Sequence, residues 1–320
     1  MFNPRDIIDL IRANVRKSRN PFGIPNSQIN TWWREAPGFT RRPGDALLFT
    51  GLMYQSIPYI EATTRYLERL EGSRWADYLR FAPLSRYIPS FAVGRVFSLL
   101  TSKAEKKQFD SILVSICRLL TQSAVDFFYH PEMDFYSGIL LYDLGDQEGF
   151  VEHAKFVART LKLHGVQKII TVDPHTTYAL KELYPQYTGV SFEVQPYFAL
   201  LRPKEVSGGN GRPPVTIHDP CFYGRYLKVS EGPRRLLTGL GLKYEEVRNC
   251  GEFTSCCGGP AESVSPALNR EILDRRVAEL KASGAPVVTF CPICLANLLK
   301  AGLPVEDLAS LLDRSWDAGK

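Results

Sequence analysis

Five cysteines in the second half of the chain have the residue type and the spacing that a metal centre requires. After Cys221, 34 residues precede the adjacent pair Cys256 and Cys257; 33 more precede Cys291, and two separate Cys291 from Cys294. The chain has seven cysteines in 320 residues. In a reducing cytoplasm, clustered thiols of this kind indicate metal binding or catalysis rather than a disulfide framework.

Five thiols narrow the choice of metal group. A structural zinc ion is satisfied by four ligands, and a cubane iron–sulfur cluster also takes four cysteines. Five converging thiols exceed both, and they suit a larger or irregular iron–sulfur cluster in which two irons share a thiolate or one iron stays open. Zinc, and metal-free thiols that act as redox catalysts, remain alternatives on the spacing alone.

The segments around these cysteines predict a parallel α/β arrangement. Short β-rich runs at 214–219, 243–248 and 286–290 alternate with helical-period segments at 233–240 and 269–282. Each cysteine follows a strand or begins a helix, which places it at the carboxyl edge of the sheet, where open α/β folds carry their sites. Backbone N–H groups at helix starts favour an anionic group there.

The first half of the chain repeats this order without the cysteines. We expect strands at 45–50, 125–129 and 168–172 and helices at 109–123 and 150–163. The positions that correspond to the five cysteines hold other residues, namely Leu52, Tyr136, Ser137, Asp173 and Thr176. The fold class is therefore predicted as α/β, with two pseudo-repeated, Rossmann-like parallel-sheet domains of which only the second binds metal.

This repeat also predicts the domain organisation. Residues 1–40 form an N-terminal arm, 41–203 the cysteine-poor domain, and 204–320 the domain that binds the cluster. A Pro/Gly-rich basic stretch at 202–214 is the expected linker. The first domain has an extra span at about 61–107, rich in aromatic and basic residues, which we expect to be helical. It is either a locally packed helical pair or a docking surface for a partner subunit.

Several polar residues lie beside the predicted site. His218 precedes Cys221 by three residues, and it either supplies a proton or a hydrogen bond to sulfur or is held by structural neighbours. His175 belongs to the corresponding region of the first domain, and it faces the cysteines if the two halves are related by pseudo-symmetry. Asp173 is a candidate for balancing charge there.

Two arginines and two further cysteines are weaker candidates. Arg225 and Arg234 either compensate an anionic cluster or pair with surface carboxylates. Cys250 is a spare ligand or a bystander, and Cys117 is expected to be a small buried side chain.

Composition excludes some other functions. The net charge of +5 is modest, and no dense Lys/Arg block interleaved with aromatics appears, so we expect no nucleic-acid binding. No stretch approaches the roughly 18 apolar residues that cross a bilayer. We therefore expect a cytoplasmic protein, or one that is peripheral to the membrane through its partners.

The motifs as a set resemble the cysteine-rich CCG domain. They are His218-Asp219-Pro220-Cys221, Gly224-Arg225, Pro233-Arg234, Cys256-Cys257-Gly258 and Cys291-Pro292-Ile293-Cys294. This domain occurs in the catalytic B and D subunits of heterodisulfide reductases and in iron–sulfur subunits of glycolate, lactate and glycerol-3-phosphate oxidation systems. The resemblance covers about residues 40–305 as tandem CCG domains, and the first copy is degenerate.

The resemblance implies a cofactor, an activity and partners. It implies that Cys221, Cys256, Cys257, Cys291 and Cys294 bind one non-cubane [4Fe-4S] cluster per chain. It implies thiol/disulfide redox chemistry in a multi-subunit complex, with a substrate that is a small thiol or is carried by a protein. His218 and His175 are the candidate catalytic residues because of their positions beside the site. The symmetric two-cluster mechanism of heterodisulfide reductase is excluded for this chain alone.

The expected partners are a ferredoxin-like iron–sulfur protein, comparable to the C subunit of heterodisulfide reductases, and a flavin subunit or a membrane cytochrome subunit. The alternatives are an electron-relay subunit of a hydroxy-acid or glycerol-phosphate dehydrogenase and a structural zinc module.

Overall fold

The computed structural model describes residues 4–39, 44–70, 89–203, 212–263 and 265–316. Its core is a pair of four-stranded sheets, and every strand pairing is parallel. The first sheet has the order β2-β1-β3-β4 and the second has the order β6-β5-β7-β8. The strands are β1 (Ala46–Phe49), β2 (Phe127–Phe128), β3 (Lys168–Thr171), β4 (Glu193–Pro196), β5 (Val215–His218), β6 (Tyr244–Glu245), β7 (Val287–Thr289) and β8 (Val305–Asp307).

Helices cover both sheets. In the first half they are α1 (Pro4–Ser18), α2 (Asn26–Ile29), α3 (Met53–Leu70), α4 (Ser90–Leu100), α5 (Lys103–Gln122), α6 (Ile139–Asp143), α7 (Gln147–Leu163), α8 (Pro174–Tyr178), α9 (Tyr184–Thr188) and α10 (Tyr197–Leu200). In the second half they are α11 (Glu231–Gly239), α12 (Gly259–Glu262), α13 (Pro266–Lys281), α14 (Pro292–Lys300) and α15 (Leu308–Trp316).

The two halves repeat one another, which confirms the predicted fold class of two repeated parallel α/β units. Their strand orders are identical once the second set is renumbered. Equivalent turns also have equivalent backbones: Gly138, before α6, has φ 88° and Gly258, before α12, has φ 87°. Glycine is the residue that adopts this left-handed conformation without steric cost.

The repeat is not perfect at the turn after the first strand. Gly51 and Leu52 have φ values of 60° and 57°, whereas Cys221, which follows β5 at the same distance, has φ −59°. The chain after β5 continues as one π-helical turn, Phe222–Tyr226.

Some predicted elements differ from the structure in extent. The strands are shorter than predicted, and the sequence patterns do not predict β4 and β8, which complete the two sheets. The helix expected at 109–123 begins earlier, at Lys103, where Ser102 caps it by accepting a hydrogen bond from the N–H of Glu105. In the predicted insertion at 61–107, α3 and α4 are helical and residues 71–88 lie outside the described part. Most of the predicted linker, residues 204–211, also lies outside it.

One apolar core spans both halves. Buried side chains of β1 and α5 pack in the same cluster as buried side chains of β5, α11 and α15. A buried hydrogen bond joins the halves as well, since the Tyr54 hydroxyl donates to Asp307 Oδ2 at 2.7 Å. The carboxyl edges of the two sheets are thereby held against each other.

The N-terminal helix packs on the first half. Ile7, Ile11 and Val15 of α1 are buried in the core of that half. Arg12 forms an ion pair with the buried Asp146 at the start of α7. Within the described part of the chain, no helix has the length and apolar character needed to cross a membrane.

Candidate metal centre

All five predicted ligand cysteines lie at the carboxyl edge of the second sheet. Cys221 follows β5, Cys256 and Cys257 lie in the loop that leads to α12, and Cys291 and Cys294 occupy the start of α14 after β7. Pro292 is the first residue of α14. Its lack of an N–H costs nothing there, because the first N–H groups of a helix have no partner within the helix. Cys291 therefore occupies the N-cap. Cys294 is then one turn into the helix and lies on the side that faces Cys291.

The five sulfur atoms form one continuous set of contacts. The Sγ atoms of Cys257 and Cys294 are 3.2 Å apart. The Cys256 sulfur accepts hydrogen bonds from the thiols of Cys221 and Cys257, and the Cys291 sulfur accepts one from Cys294. Four of the five residues are buried, and Cys256 is partly exposed. The fold brings the five side chains that the sequence singled out into a single, largely buried site.

Two of these sulfurs are held in the thiolate form. The thiol donors Cys221 and Cys257, together with the N–H of Gly258, lower the pKa of Cys256 well below its ordinary value. Burial works against ionisation of Cys291, but hydrogen bonds from Cys294 and His175 lower its pKa from 9.0 to about 5. The thiols that donate these hydrogen bonds have raised pKa values. Neighbouring sulfurs and burial raise the pKa of Cys221, Cys257 and Cys294. Thiolates are the form that binds metal, so the site is partly ionised for that role.

His218 contributes an imidazole to the same site. Its ring is buried, and one of its nitrogens lies within 4.8 Å of the sulfurs of both Cys257 and Cys294. Arg276 Nε donates to His218 Nδ1 at 3.0 Å, and Nε2 has no hydrogen-bond partner. Burial, and then the Arg276 charge, lower the pKa of His218 well below its usual value, so the ring is neutral.

That geometry fixes the tautomer of His218. Because Nδ1 accepts from a guanidinium N–H, the single proton of the neutral ring must be on Nε2. Nε2–H is therefore a buried donor without an acceptor, and it belongs to a residue next to the sulfurs. An unpaired buried donor is costly, which indicates that a hydrogen-bond acceptor belongs in this space.

Arg276 was not predicted from the sequence. It is fully buried on α13, and its guanidinium bonds the carbonyl of Asn249 and the carboxylate of Glu279 besides His218. A pair of adjacent arginines on a predicted helix is the only local signal, and its partner Arg275 is exposed. Nothing in the local sequence shows which of the two faces inward.

His175 comes from the first half and contacts the site of the second. Its imidazole hydrogen-bonds the Cys291 sulfur and lies 3.9 Å from Asp143 Oδ2. Its ring lies 4.5 Å, centroid to centroid, from the ring of Phe222. Burial alone would lower the pKa of His175, but Cys291 and Asp143 raise it to about 9. The sequence placed His175 in the cysteine-free pocket, and the structure joins that pocket to the cysteines.

A buried ion pair fixes the loop that carries Cys256 and Cys257. Arg234 binds both carboxylate oxygens of Asp219 at 2.8 Å and also pairs with Glu246. Asp219 Oδ2 in turn accepts from the N–H of Gly251 at 2.7 Å, and the Asp219 carbonyl accepts from Thr254. This Asp219–Arg234 clamp ties the end of β5 to the approach to Cys256. Arg234 thus pairs with buried Asp219 as well as with the partly exposed Glu246.

The residues at the corresponding positions of the first half are structural. Tyr136 accepts a hydrogen bond from the N–H of Leu140, and the Ser137 carbonyl accepts from Tyr184. Asp173 caps α8 by accepting from the N–H of Thr176, and burial raises its pKa to about 7. Leu52 lies in the apolar core. The first pocket is therefore occupied by packed side chains, among which Ser137 Oγ, Asp173 Oδ2 and Thr176 Oγ1 are buried without a hydrogen-bond partner.

The remaining candidates lie away from the sulfur contacts or at their edge. Cys117 is fully buried in the core on α5. Cys250 is partly exposed and bonds Glu246 rather than a cysteine. Arg225 contributes to the low pKa of Cys256 by its charge, and its guanidinium lies 6.0 Å from the Tyr226 ring.

A parallel α/β unit that gathers thiols at its carboxyl edge is a cysteine-rich metal-binding domain. Residues 215–299 match the cysteine-rich domain family CCG. The part of the second half that carries the five cysteines is therefore similar to a CCG domain, and the first half repeats its parallel α/β fold without these five cysteines.

Curated relatives fall into two groups. A probable iron–sulfur-binding oxidoreductase, FadF, from Bacillus subtilis is 28% identical over 72% of this chain and 35% of its own length. A probable membrane-anchored ferredoxin from Chromohalobacter salexigens is 31% identical over 64% of this chain and 33% of its own length. In the other group, the D subunit of the dihydromethanophenazine:CoB–CoM heterodisulfide reductase from Methanosarcina acetivorans is 37% identical over 31% of this chain and 26% of its own length. The chain spans about a third of the length of the first two.

Proposed function

We propose that this chain is an oxidoreductase subunit in which Cys221, Cys256, Cys257, Cys291 and Cys294 hold one non-cubane [4Fe-4S] cluster. The observation that carries the proposal is that the five cysteines gather in one site, where the sulfurs of Cys257 and Cys294 lie 3.2 Å apart and neighbouring thiols lower the pKa values of Cys256 and Cys291. Four ligands satisfy a zinc ion or a cubane, and the fifth thiol is part of the same contact set. When bound, such a cluster supplies single-electron transfer at iron beside the substrate.

The residues around the sulfurs suit an anionic group. Neutral His218, whose Nε2–H has no other partner, lies beside Cys257 and Cys294, and His175 of the first half hydrogen-bonds Cys291. The buried Arg276 and the exposed Arg225 add positive charge nearby. Hydrogen bonds and charges around the sulfur ligands tune a cluster's potential. We assign His218 to hydrogen bonding of the metal group, and His175 to the side from which substrate arrives.

We propose further that the reaction is thiol/disulfide redox chemistry. Reduction of a disulfide to two thiols consumes two electrons and two protons, and an electron-carrying partner must supply the electrons. A direct thiol-exchange mechanism needs a free nucleophilic thiolate. All five site cysteines are used as ligands in this proposal, so electrons arrive through the cluster. The likeness to the D subunit of a heterodisulfide reductase supports this reaction class.

The partners we propose are a ferredoxin-like iron–sulfur subunit and a flavin or membrane cytochrome subunit. One relative, 32% identical over 58% of this chain, is named an EtfAB:quinone oxidoreductase, which fits a complex that joins flavin and membrane electron carriers. The same likeness supports the alternative of an electron-relay subunit without a thiol substrate. We place the chain in the cytoplasm or at the membrane surface through these partners.

Zinc binding is the second candidate, because one nitrogen of His218 and the sulfurs of Cys257 and Cys294 lie within 4.8 Å of one another. Anaerobic purification followed by assay of iron, acid-labile sulfide and zinc decides between them. We expect iron and sulfide in the wild type and their loss when Cys256 and Cys257 are both replaced by serine. The matched control replaces Cys117 and Cys250 by serine and keeps the iron. A zinc-only protein, or iron retained in the Cys256/Cys257 double variant, overturns the proposal.

A second assay separates catalysis from relay. Candidate thiols are added to the oxidised protein, and electron paramagnetic resonance records the cluster. A new signal that depends on thiol supports the thiol/disulfide reaction. No thiol-dependent change, with iron and sulfide present, supports the relay.

A further inference from the structure

An apolar cavity of about 360 Å³ lies against the cysteine site. Its walls come from the N-terminal helix α1, from α3, α4 and α6, and from the start of α12. Ile11, Ile60, Phe97 and Leu140 line its body. Cavities of this size commonly hold small organic ligands.

The cavity reaches the sulfurs. His175, which hydrogen-bonds Cys291, is one of its lining residues, and so is Ile293. Ile293 packs against Cys257, Cys291 and Cys294. A molecule in the cavity is therefore separated from the cysteine site by no more than these two side chains.

The charges around the cavity do not favour an anion. Among the described residues that line it, Lys17 is the one lysine or arginine, and it is exposed. Asp143 and Glu262 are carboxylates on the same wall. Glu262 already accepts from Lys300 at 3.0 Å, and Asp143 lies beside His175. The buried imidazole on this wall, His175, already pairs with the Cys291 sulfur and with Asp143. A ligand with a carboxylate or phosphate would therefore lose its water here without gaining a cation that has no other partner, which is costly.

We infer that this cavity binds an uncharged, largely apolar molecule whose redox-active end is directed at His175 and the cysteine site. The inference rests on the proposed function for the identity of the redox centre, whereas the binding preference rests on the cavity alone. The overall charge of +5 would suggest an anionic substrate. The lining of the cavity instead favours an uncharged molecule. An apolar disulfide and a quinone are both uncharged, apolar molecules with a redox-active group, and the experiment below distinguishes between them.

Calorimetric titration of the anaerobically purified chain, with iron and sulfide measured in the same sample, tests the preference. Diphenyl sulfide represents an apolar disulfide but cannot exchange with thiols, and thiodibenzoate has the same skeleton with two carboxylates. Duroquinone represents the quinones. We expect diphenyl sulfide to bind at least about tenfold more tightly than thiodibenzoate, because burial of unpaired charge costs well over the ~1.4 kcal/mol of a tenfold change. Tighter binding of diphenyl sulfide than of duroquinone assigns the disulfide class, and the reverse assigns the quinone class.

A cavity-filling variant locates the binding. Ile60→Trp places a larger side chain in the body of the cavity and should weaken binding of the preferred probe by about tenfold or more. Leu163→Trp, at an exposed site on α7, is the matched control and should bind as the wild type does. Equal binding of the charged and uncharged skeletons, no binding of either uncharged probe, or unchanged binding in Ile60→Trp overturns the inference. Failure of the proposed function is distinct, because it appears as missing iron and sulfide.

Discussion

The Asp219–Arg234 clamp makes a sharp prediction, because one buried pair holds two of the three segments that carry the cysteines. The Asp219 side chain is fully buried and that of Arg234 is 8% exposed. Asp219→Ala leaves the guanidinium with Glu246 and the Ser230 carbonyl, and it removes the acceptor of the Gly251 N–H. Breaking a buried pair by removing one partner costs about 3–5 kcal/mol, since the other charge stays buried. We expect that loss in the free energy of unfolding of the metal-free protein.

Urea unfolding followed by circular dichroism measures the loss. The control is Arg275→Ala, which breaks the exposed Arg275–Glu271 pair on α13; pairs of this kind contribute about 0–1 kcal/mol. The doubly substituted Asp219→Ala/Arg234→Met protein should be more stable than the sum of the single losses predicts, because it contains no unpaired buried charge. A loss below about 1 kcal/mol for Asp219→Ala, or strict additivity in the double variant, refutes the reasoning.

Three further substitutions test other parts of the structure. Tyr54→Phe leaves buried Asp307 without its partner from the other half, and it should cost about 1–3 kcal/mol in chemical denaturation. Gly224→Ala places a Cβ 2.2 Å from the carbonyl oxygen of Gly251, so it should lower both the stability and the iron content; an iron content equal to the wild type contradicts this contact. Burial raises the pKa of Asp134 from 3.8 to about 6, so its protonation favours folding. The wild type should therefore gain stability relative to Asp134→Asn as the pH falls from about 7 to 4, by up to about 3 kcal/mol, and a pH-independent difference in unfolding free energy refutes it.

The positions of the site residues were predictable because they depend on strand order and on local turns. Parallel strands bring their carboxyl ends to one edge, so a cysteine after β5 and another after β7 must lie close together. The proline that begins α14 and the one that begins α8 mark the same turn in both halves. The repeat order also predicted that His175 belongs to a pocket facing the cysteines.

Other features depend on contacts between distant segments, which no local pattern contains. Arg276 lies 58 residues after His218 in sequence, and only the packing of α13 against β5 shows that it fixes the histidine tautomer. The short edge strands β4 and β8 carry little periodicity, because three or four residues are too few to show it. From the sequence, Arg234 either compensates an anionic cluster or pairs with surface carboxylates. In the fold it pairs with the buried Asp219 and with the partly exposed Glu246.

The first half contributes none of the five site cysteines, but it forms one side of the cysteine site. Cys221 and Phe222 pack into the apolar core of the first half, not into that of the second. Cys291 accepts its hydrogen bond from His175, and the cavity is walled mainly by α1, α3 and α6 of the first half. The second half alone therefore does not surround the five sulfurs, since the first half adds the apolar packing around Cys221 and a hydrogen-bond donor to Cys291. The first half therefore supplies apolar walls and a hydrogen-bond donor on one side of the site, while the second half supplies the five cysteines.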